Sequence, residues 1–286
     1  MMVVVVSESD PVALRVADRW GTPPATGDHL DGAAIRRLAP EVLLVRRAVR
    51  HIHDERLDRR LPPGIRERRP TLVFPSIHRS EQNVACLTVH PLGNPGLRAE
   101  FGGRPHTWVP TDARRMAAAL RALAERAGST GLAPTFEATH HGPELDLPAF
   151  FVEIGFGAAP GPSDASITAL AETVPEIAPD PSDRVAVGIG GGHYAPHFTE
   201  LVIRRHWAFA HIVSRHALTA LTGDGARAAL ASSEGAEGFL FARAQDADHA
   251  ALRGWARRLR ETEAPARPPS SAERDPISRD ARPSGT

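Results

Sequence analysis

The sequence predicts an α/β fold in which helices flank a mixed, mostly parallel sheet. Short runs of apolar and β-branched residues, bounded by turn residues, recur along the 286-residue chain and have the length of buried strands. Segments with helical periodicity lie between them, and strands that alternate with helices are typical of α/β proteins. In such folds, functional sites collect in the loops that follow the strands.

Several runs are predicted as strands or helices. The predicted strands are residues 3–6, 42–45, 71–77, 84–89, 150–155, 184–190 and 238–244. The predicted helices are residues 111–128, 163–174, 208–221 and 248–263. In the first of these helices, Thr111 or Asp112 can cap the start and Gly128 can end the helix.

The chain is expected to form one α/β domain over residues 1–263, because that length can bury a substantial core. The remaining segment, residues 264–286, contains five prolines and a single large aliphatic residue, Ile277. Such a segment cannot bury enough apolar surface to order itself. We therefore predict a disordered tail there.

The composition excludes several classes of protein and of catalytic group. There is no apolar run of about 18 residues and no basic stretch at the N-terminus, so we predict neither a membrane span nor a signal peptide and expect a cytoplasmic monomer. Cys86 is the single cysteine, which excludes an internal disulfide and a CxxC site. All 34 basic residues are arginine, which excludes a catalytic lysine. A bound metal would therefore need histidine and carboxylate ligands.

The net charge is zero, but its distribution is uneven. Residues 31–80 carry twelve arginines against six acidic residues. Such a patch can follow a phosphate backbone. A solvated arginine-rich face explains the same pattern equally well.

The stretch "EATHHGP" places His140 and His141 before a Gly-Pro turn. Adjacent histidines in a loop are consistent with a solvated turn or with a metal or acid/base site. In an extended segment, neighbouring side chains point to opposite sides. We therefore expect that one metal ion does not bind both rings, and that two sites exist or one ring supports a ligand.

A second focus is "VGIGGGHYAPHFTE", in which a predicted strand leads into Gly190, Gly191 and Gly192, followed by His193 and Tyr194. The dinucleotide fingerprint fails because His193 stands where its third glycine belongs, and the proline at 196 argues against an immediate helix. The glycines allow close backbone approach and expose N–H groups to an anion. A tight structural turn is the alternative interpretation.

A third focus lies at two predicted strand ends, where His78 and Arg79 follow one strand and His90 follows the next. The standard GxSxG and HExxH motifs are missing. The candidate metal ligands are therefore dispersed. They are His140, His141 and His193, with His90 or His197, and Glu137 or Glu153 as carboxylate.

Taken in order, the motifs "SIHRS", "LTVHPLGNPG", "FGG", "EATHHGP", "FFVEIG" and "GIGGGHYAPHFTE" resemble the archaeal and plant type of D-aminoacyl-tRNA deacylase, also called the second deacylase type. The resemblance covers roughly residues 3–245. It implies a phosphorylase-like or peptidyl-tRNA hydrolase-like α/β fold, and hydrolysis of the ester between a D-amino acid and the 3′ end of tRNA. It also implies zinc, with up to two ions.

The resemblance transfers a set of site residues to this chain. Those implied in catalysis are Glu137, Thr139, His140, His141, His193 and Tyr194; those implied in substrate binding are His78, Arg79, Gly190, Gly191 and Gly192; those implied as metal ligands are His90, His140, His141, Glu153 and His193. In a metal-free alternative, the same histidines act as acid/base groups.

The chain departs from the family pattern at two positions. Phe156 stands where the family usually has serine, and Ala210 stands where it has glycine. These departures bear on substrate choice. The alternative function is hydrolysis or transfer of an ester or amide of a small molecule or peptide by a relative in specialised metabolism. A non-catalytic RNA-binding or metal-binding protein is the third interpretation.

Overall fold

The structure is a computed structural model that describes residues 1–79, 84–156, 161–252 and 258–267. In chain order, its strands are β1 (Met2–Ser7), β2 (Ala25–Leu30), β3 (Ala33–Ala39), β4 (Val42–Arg47), β5 (Thr71–His78), β6 (Cys86–Pro91), β7 (Gly93–Asn94), β8 (Thr107–Trp108), β9 (Ala133–Phe136), β10 (Ala149–Gly155), β11 (Arg184–Ile189), β12 (Trp207–Val213), β13 (Ala236–Phe241) and β14 (Arg258–Leu259). The α-helices are α1 (Pro11–Arg19), α2 (Pro63–Arg66), α3 (Ala113–Thr130), α4 (Asp164–Glu176), α5 (Pro196–Arg204), α6 (Arg215–Leu218) and α7 (Gly223–Ala231). Short 3₁₀ turns cover residues 51–53, 57–60, 244–248, 250–252 and 261–263.

The strands form a large sheet of order β2-β3-β4-β1-β5-β10-β6-β9 and a smaller sheet of order β12-β11-β13-β14. The centre of the large sheet, from β4 to β10, is parallel, whereas β10 and β6 run antiparallel. The smaller sheet is parallel throughout. The predicted mixed, mostly parallel α/β fold is confirmed, but the strands divide between two sheets.

Helix α3 connects the two sheets, because it contacts β6 and β9 of the large sheet and β12 of the smaller one. Its apolar face, which includes Met116, Leu120 and Leu123, is buried in one continuous core with residues of both sheets. The Asp112 carboxylate caps its first turn by accepting from Arg115 N. The helix ends at Gly131, in the left-handed conformation with φ 68°, and not at Gly128 as predicted.

The predicted helix over residues 208–221 is wrong. Its first half is strand β12, in which every residue is buried, and a single turn of helix follows, capped by Ser214. A strand buried on both faces shows a continuous apolar run, which periodicity cannot distinguish from a buried helix. Pro196 likewise occupies the first position of α5 and does not exclude a helix there.

The predicted C-terminal helix over residues 248–263 is also wrong where the structure describes it, because 3₁₀ turns and β14 stand there, and residues 253–257 lie outside the described residues. The first residues assigned to the tail pack on the body. Ala264 is buried, and Arg267 N donates to Arg204 O at 2.8 Å. Residues 268–286 lie outside the described residues, so the disordered tail stays a prediction there.

Among the described residues, no helix is both long and apolar enough to cross a membrane. The arginines of residues 31–80 are largely paired with acidic side chains. Arg47 donates to Asp54 at 2.9 Å and Arg68 donates to Glu41 at 2.9 Å. These pairs reduce the positive potential that the sequence alone indicates.

Candidate active site

Several predicted site residues meet on one face of the large sheet, beside β5, β10 and β6. Gly155 pairs with both His78 and Cys86, whereas Phe151 pairs with His90. His90 therefore lies within the sheet and not at the same edge as His78. His78 and His90 each lie at or next to the end of a strand, but these ends are at opposite edges of the sheet because β6 runs antiparallel to β10. They approach each other because their side chains share one face of the sheet.

Glu153 of β10 lies between these two histidines. Its Oε2 atom is 3.2 Å from His78 Nδ1 and 3.6 Å from His90 Nε2. The His78 ring also approaches Glu137, with Nδ1 3.1 Å from Oε1. Two buried carboxylates and two buried imidazoles thus form the floor of the site.

Glu137 directly follows β9 and joins this floor to histidines of two loops. Its Oε2 atom lies 3.0 Å from His193 Nε2 and 3.6 Å from His140 Nε2. The backbone of Glu137 forms an isolated antiparallel bridge with Tyr194, which fixes the glycine-rich loop against this segment. The seven side chains of the site are called the Glu137 cluster: His78, His90, Glu137, His140, His141, Glu153 and His193.

His140 and His141 lie on the same side of their segment, which corrects the sequence expectation. The reason is the backbone of His141, whose φ of 45° is left-handed and breaks the alternation of an extended chain. Their ring centroids are 4.4 Å apart. The His90 ring lies 4.2 Å from the first ring and 4.9 Å from the second.

These three rings have a common tautomer. Each donates from Nδ1 to a backbone carbonyl: His90 to Pro91 at 3.2 Å, His140 to Ala138 at 2.8 Å and His141 to Gly142 at 2.7 Å. A carbonyl oxygen only accepts, so Nδ1 carries the proton and Nε2 of the neutral ring is a lone pair. Metal-binding histidines are held in this way by a carbonyl behind the ring.

Unpartnered buried atoms provide a second indication of a cation site. Within the described part of the chain, His90 Nε2 and both oxygens of Glu137 are buried and lack a partner in hydrogen-bonding alignment. Ligand atoms of His90, His140 and His141 lie within 4.8 Å of one another, and so do those of His78, Glu137 and His193, and those of His90, Glu137 and Glu153. The donor set of neutral imidazoles and carboxylate fits zinc.

The electrostatics divide the histidines into two kinds. Burial alone would lower the pKa of His78, but its hydrogen bond to Glu153 and the charge of Glu137 raise it above the ordinary value. Against the same effect of burial, Glu153 raises the pKa of His90, so a metal at its Nε2 would have to displace a proton. His78 Nε2 lies 2.9 Å from the Tyr194 hydroxyl, so a charged His78 bonds Glu153 and Tyr194 at once.

The loop histidines behave in the opposite way. Burial, followed by the charge of His90, holds the pKa of His140 well below its ordinary value, and burial lowers the pKa of His141 to about 4. Both rings are therefore neutral at pH 7. Burial also raises the pKa of the nearby Cys86 thiol to about 11, which excludes a thiolate nucleophile at neutral pH.

The glycine-rich loop offers two backbone donors near His193. Gly190 and Gly191 have φ values of 106° and 82°, a conformation that favours glycine. Gly190 N donates to Val213 O at 2.8 Å, so the predicted role of Gly190 as an anion donor is wrong. The N–H groups of Gly191 and Gly192 donate to no residue that the structure describes.

Thr139 is a structural link between the sheets. Its hydroxyl accepts from Ile212 N at 3.1 Å and lies 3.1 Å from His211 Nδ1, and the other nitrogen of that ring lies 3.1 Å from Ser232 Oγ. The implied role of Thr139 in catalysis is therefore not favoured, because its hydroxyl is already bonded. His211, which the sequence analysis left without a role, occupies the centre of this link.

Two predicted residues lie outside the Glu137 cluster. Arg79 follows His78 on the exposed surface and makes no polar contact with the described residues. His197 pairs with Glu261 at 3.3 Å and belongs to none of the candidate metal groups in the described chain. His197 is therefore removed from the candidate ligands.

A second group of carboxylates and histidine lies beside the smaller sheet. Asp180, Asp183 and His206 have ligand atoms within 4.8 Å of one another and are called the Asp183 cluster. Arg267 donates to both aspartates at 3.1 Å, and Arg121 pairs with Asp183. Guanidinium groups thus already supply the positive charge that a metal would bring.

Comparisons with known proteins agree on one family. The family model described as D-aminoacyl-tRNA deacylase matches residues 66–260. The D-aminoacyl-tRNA deacylase of Thermoplasma acidophilum is 33% identical over 244 residues, which are 85% of this chain and 90% of that protein. The protein of the same name from Methanoregula boonei is 43% identical over 152 residues, which are 52% of this chain and 34% of that protein.

A solved structure has the same fold. It is the crystal structure of AF0625, described as a conserved protein of unknown function, with a TM-score of 0.75 and 27% sequence identity. The match covers 88% of this chain and 89% of the other. The resemblance of the sequence motifs is thereby confirmed over most of the chain, and the protein belongs to the D-aminoacyl-tRNA deacylase family.

Proposed function

We propose that this chain hydrolyses the ester that joins a D-amino acid to the 3′-terminal ribose of tRNA. Membership of the family supports the reaction class. The observation that carries the proposal is the pairing of a buried carboxylate, Glu137, with the half-exposed His193 ring, since this pair can remove a proton from water.

In this mechanism His193 is the general base. With the Nε2 proton directed at Glu137, the lone pair on Nδ1 takes a proton from the attacking water. Glu137 stabilises the imidazolium, and the ring then returns the proton to the departing ribose oxygen. The products are a D-amino acid and tRNA with a free hydroxyl. The 3.0 Å approach lacks hydrogen-bonding alignment here, as catalytic contacts often do before substrate binds.

The charge that develops on the ester carbonyl needs donors placed in advance. The N–H groups of Gly191 and Gly192 directly precede His193 and donate to no described residue, so we assign them to the oxyanion. Tyr194, fixed by His78, is assigned to orienting the substrate. Glu153 holds His78 and His90 in place and does not contact the substrate in this scheme.

Zinc is proposed at His90, His140 and His141, because their common tautomer and the unpartnered Nε2 of His90 fit a cation. When bound there, zinc would polarise the carbonyl and lower the pKa of a bound water to about 7. One ion is proposed and not two, because a second ion at His78, Glu137 and His193 would take the lone pairs that proton transfer needs.

The test of the function is incubation of the untagged protein with D-tyrosyl-tRNA and L-tyrosyl-tRNA. Wild type should release D-tyrosine and leave the L-ester intact, and His193→Ala should lose the activity while keeping its fold. Hydrolysis of D-tyrosine methyl ester without hydrolysis of D-tyrosyl-tRNA would instead favour a small-molecule ester as substrate. No release from either D-ester would refute the proposal.

Metal content is tested separately on protein purified without a histidine tag. Elemental analysis should find one zinc per chain, and removal of the metal with a chelator should abolish hydrolysis. Metal-free protein with full activity would refute the zinc assignment and leave the His193 mechanism standing.

A further inference from the structure

The described surface carries one pair of strongly exposed apolar side chains close to the Glu137 cluster. Leu97 is 72% exposed and Phe101 is 59% exposed, which makes them the two most exposed large apolar residues in the part of the chain that the structure describes. Both lie in the segment between β7 and β8. An exposed aromatic side chain beside a catalytic site is typical of a contact surface for a ligand.

This segment packs directly against the histidine loop. Gly142 N, which follows His141, donates to Phe101 O at 3.1 Å. A Cβ atom at Gly142 would lie 2.5 Å from both the carbonyl carbon of Gly102 and the nitrogen of Gly103, so the two backbones are in close contact. The backbone that carries Phe101 therefore contacts the loop that carries His141.

The segment is held in a fixed shape. The Glu55 carboxylate accepts from Gly103 N and from Glu144 N, both at 2.6 Å, and so ties the segment to the histidine loop. A Cβ at Gly102 would lie 1.7 Å from Ile52 O, so a side chain there would displace the backbone. A surface that is rigid before binding loses little conformational entropy when a ligand docks.

Two exposed arginines, Arg98 and Arg104, lie in the same segment as the two apolar side chains. The Arg98 side chain is 84% exposed and lies 3.4 Å from Glu100, which is also exposed, and pairs of this kind are weak. Arg104 is exposed too and pairs with Glu144. Arginine next to an aromatic side chain is the combination that binds single-stranded nucleic acid.

We propose that Phe101 and Leu97, with Arg98, form the platform on which the single-stranded 3′ end of tRNA docks. Phe101 stacks on an unpaired base, and Arg98 contacts the adjoining phosphate. This inference rests on the proposed function for the identity of the RNA. It adds a binding surface outside the Glu137 cluster, and it places the acylated ribose next to His141.

The test measures RNA binding directly, without catalysis. A fluorescein-labelled RNA hairpin that ends in the single-stranded sequence ACCA is titrated with wild type, Phe101→Ala, Phe101→Trp and Val49→Ala, and binding is followed by fluorescence anisotropy. Phe101→Ala should weaken binding roughly tenfold to a hundredfold, because one base loses its stacking partner. Phe101→Trp should bind like wild type. Val49→Ala, which removes an exposed apolar side chain elsewhere, should do the same.

Two further measurements make the result specific. A hairpin with a blunt end should bind wild type and Phe101→Ala equally. Arg98→Ala should reduce the slope of log affinity against log salt concentration by about one, because one phosphate contact is lost. Unchanged thermal unfolding of each variant establishes that the exposed substitutions leave the fold intact.

Equal affinity of wild type and Phe101→Ala for the ACCA hairpin would overturn the platform. If Phe101→Ala loses RNA binding but wild type fails to hydrolyse D-tyrosyl-tRNA, the proposed function fails and the platform stands. If hydrolysis occurs and Phe101→Ala binds normally, the function stands and the platform fails. Self-association that disappears in Phe101→Ala, with RNA affinity unchanged, would assign the surface to a second copy of the chain and also overturn the proposal.

Discussion

The Glu137 cluster and the Asp183 cluster bring the same residue types together and differ in what balances their charge. Asp183 is buried, but Arg121 and Arg267 pair with it, and His206 lies 3.4 Å away. Glu137 is equally buried, and its neighbours are imidazoles that do not align with either oxygen. A fixed guanidinium satisfies a carboxylate permanently, whereas an imidazole can give up or take a proton.

This difference separates a structural ion-pair network from a site that can react. Both groups have the spacing of a metal site, so proximity alone does not distinguish them. In the Glu137 cluster, three histidine rings share a tautomer in which Nδ1 donates to a backbone carbonyl. In the same cluster, buried atoms of His90 and Glu137 lack an aligned partner. Catalysis and zinc binding are therefore expected in the Glu137 cluster, and stability is expected to depend on Asp183.

The largest expected effect is on catalysis. Glu137→Gln keeps the shape of the side chain but removes the charge that stabilises the His193 imidazolium. We expect kcat for D-tyrosyl-tRNA hydrolysis to fall by about 10²- to 10⁴-fold, with little change in KM. The matched control is Asp183→Asn, which should keep kcat within about twofold. Comparable losses in both variants would remove the distinction between the clusters.

The reverse effect is expected for stability. Asp183→Asn leaves the Arg121 and Arg267 guanidinium groups without their buried partner, and breaking a buried ion pair costs about 3–5 kcal/mol of unfolding free energy. Urea unfolding followed by circular dichroism measures the change. A variant that unfolds at the wild-type midpoint would show that the arginines are satisfied without Asp183.

The two clusters should also differ in their affinity for zinc. His140→Ala removes a ligand, so its zinc affinity should fall by more than about tenfold, whereas Asp180→Asn should bind zinc like wild type. Competition with a coloured chelator gives both constants. Loss of zinc from Asp180→Asn alone would locate the ion in the Asp183 cluster.

A smaller effect is expected from His211, which is buried in the link between the sheets. Burial lowers its pKa to about 3, below the ordinary value near 6.5 of the unfolded chain. Below pH 6.5 the unfolded chain therefore binds more protons than the folded chain. Through this residue, the unfolding free energy of the protein falls by about 1.4 kcal/mol for each pH unit between 6.5 and about 3.

His211→Asn lacks this titration. The variant should be less stable than wild type at pH 7. The difference between their unfolding free energies should therefore shrink by about 2 kcal/mol when the pH falls from 6.5 to 5. Urea midpoints at each pH measure the deficit. A constant difference would mean that folding does not lower the pKa of His211.

Much of the fold follows from the sequence, because most strands are buried apolar runs with a clear beginning and end. The strands around Val3–Val6 and Phe150–Gly155 lie where the sequence predicts them. Strand β12 could not be separated from a helix, since full burial removes its periodicity. The second sheet depends on long-range pairing, which a local pattern does not encode.

The residues of the site could be predicted from the sequence, but their arrangement could not. The motifs identify Glu137, His140, His141 and His193 as candidates, and the structure brings them together. Their geometry could not be predicted, because it depends on the left-handed φ of His141 and on the antiparallel direction of β6. The link through His211 was missed, because its partner Thr139 lies 72 residues away.

The central claim is that the Glu137 cluster hydrolyses D-aminoacyl-tRNA. The most direct measurement follows release of radiolabelled amino acid from D-tyrosyl-tRNA and L-tyrosyl-tRNA by wild type, Glu137→Gln and Asp183→Asn in parallel. We expect release of D-tyrosine by wild type and Asp183→Asn, almost none by Glu137→Gln, and retention of the L-ester by all three. Intact D-tyrosyl-tRNA after incubation with wild type, or undiminished release by Glu137→Gln, would contradict it.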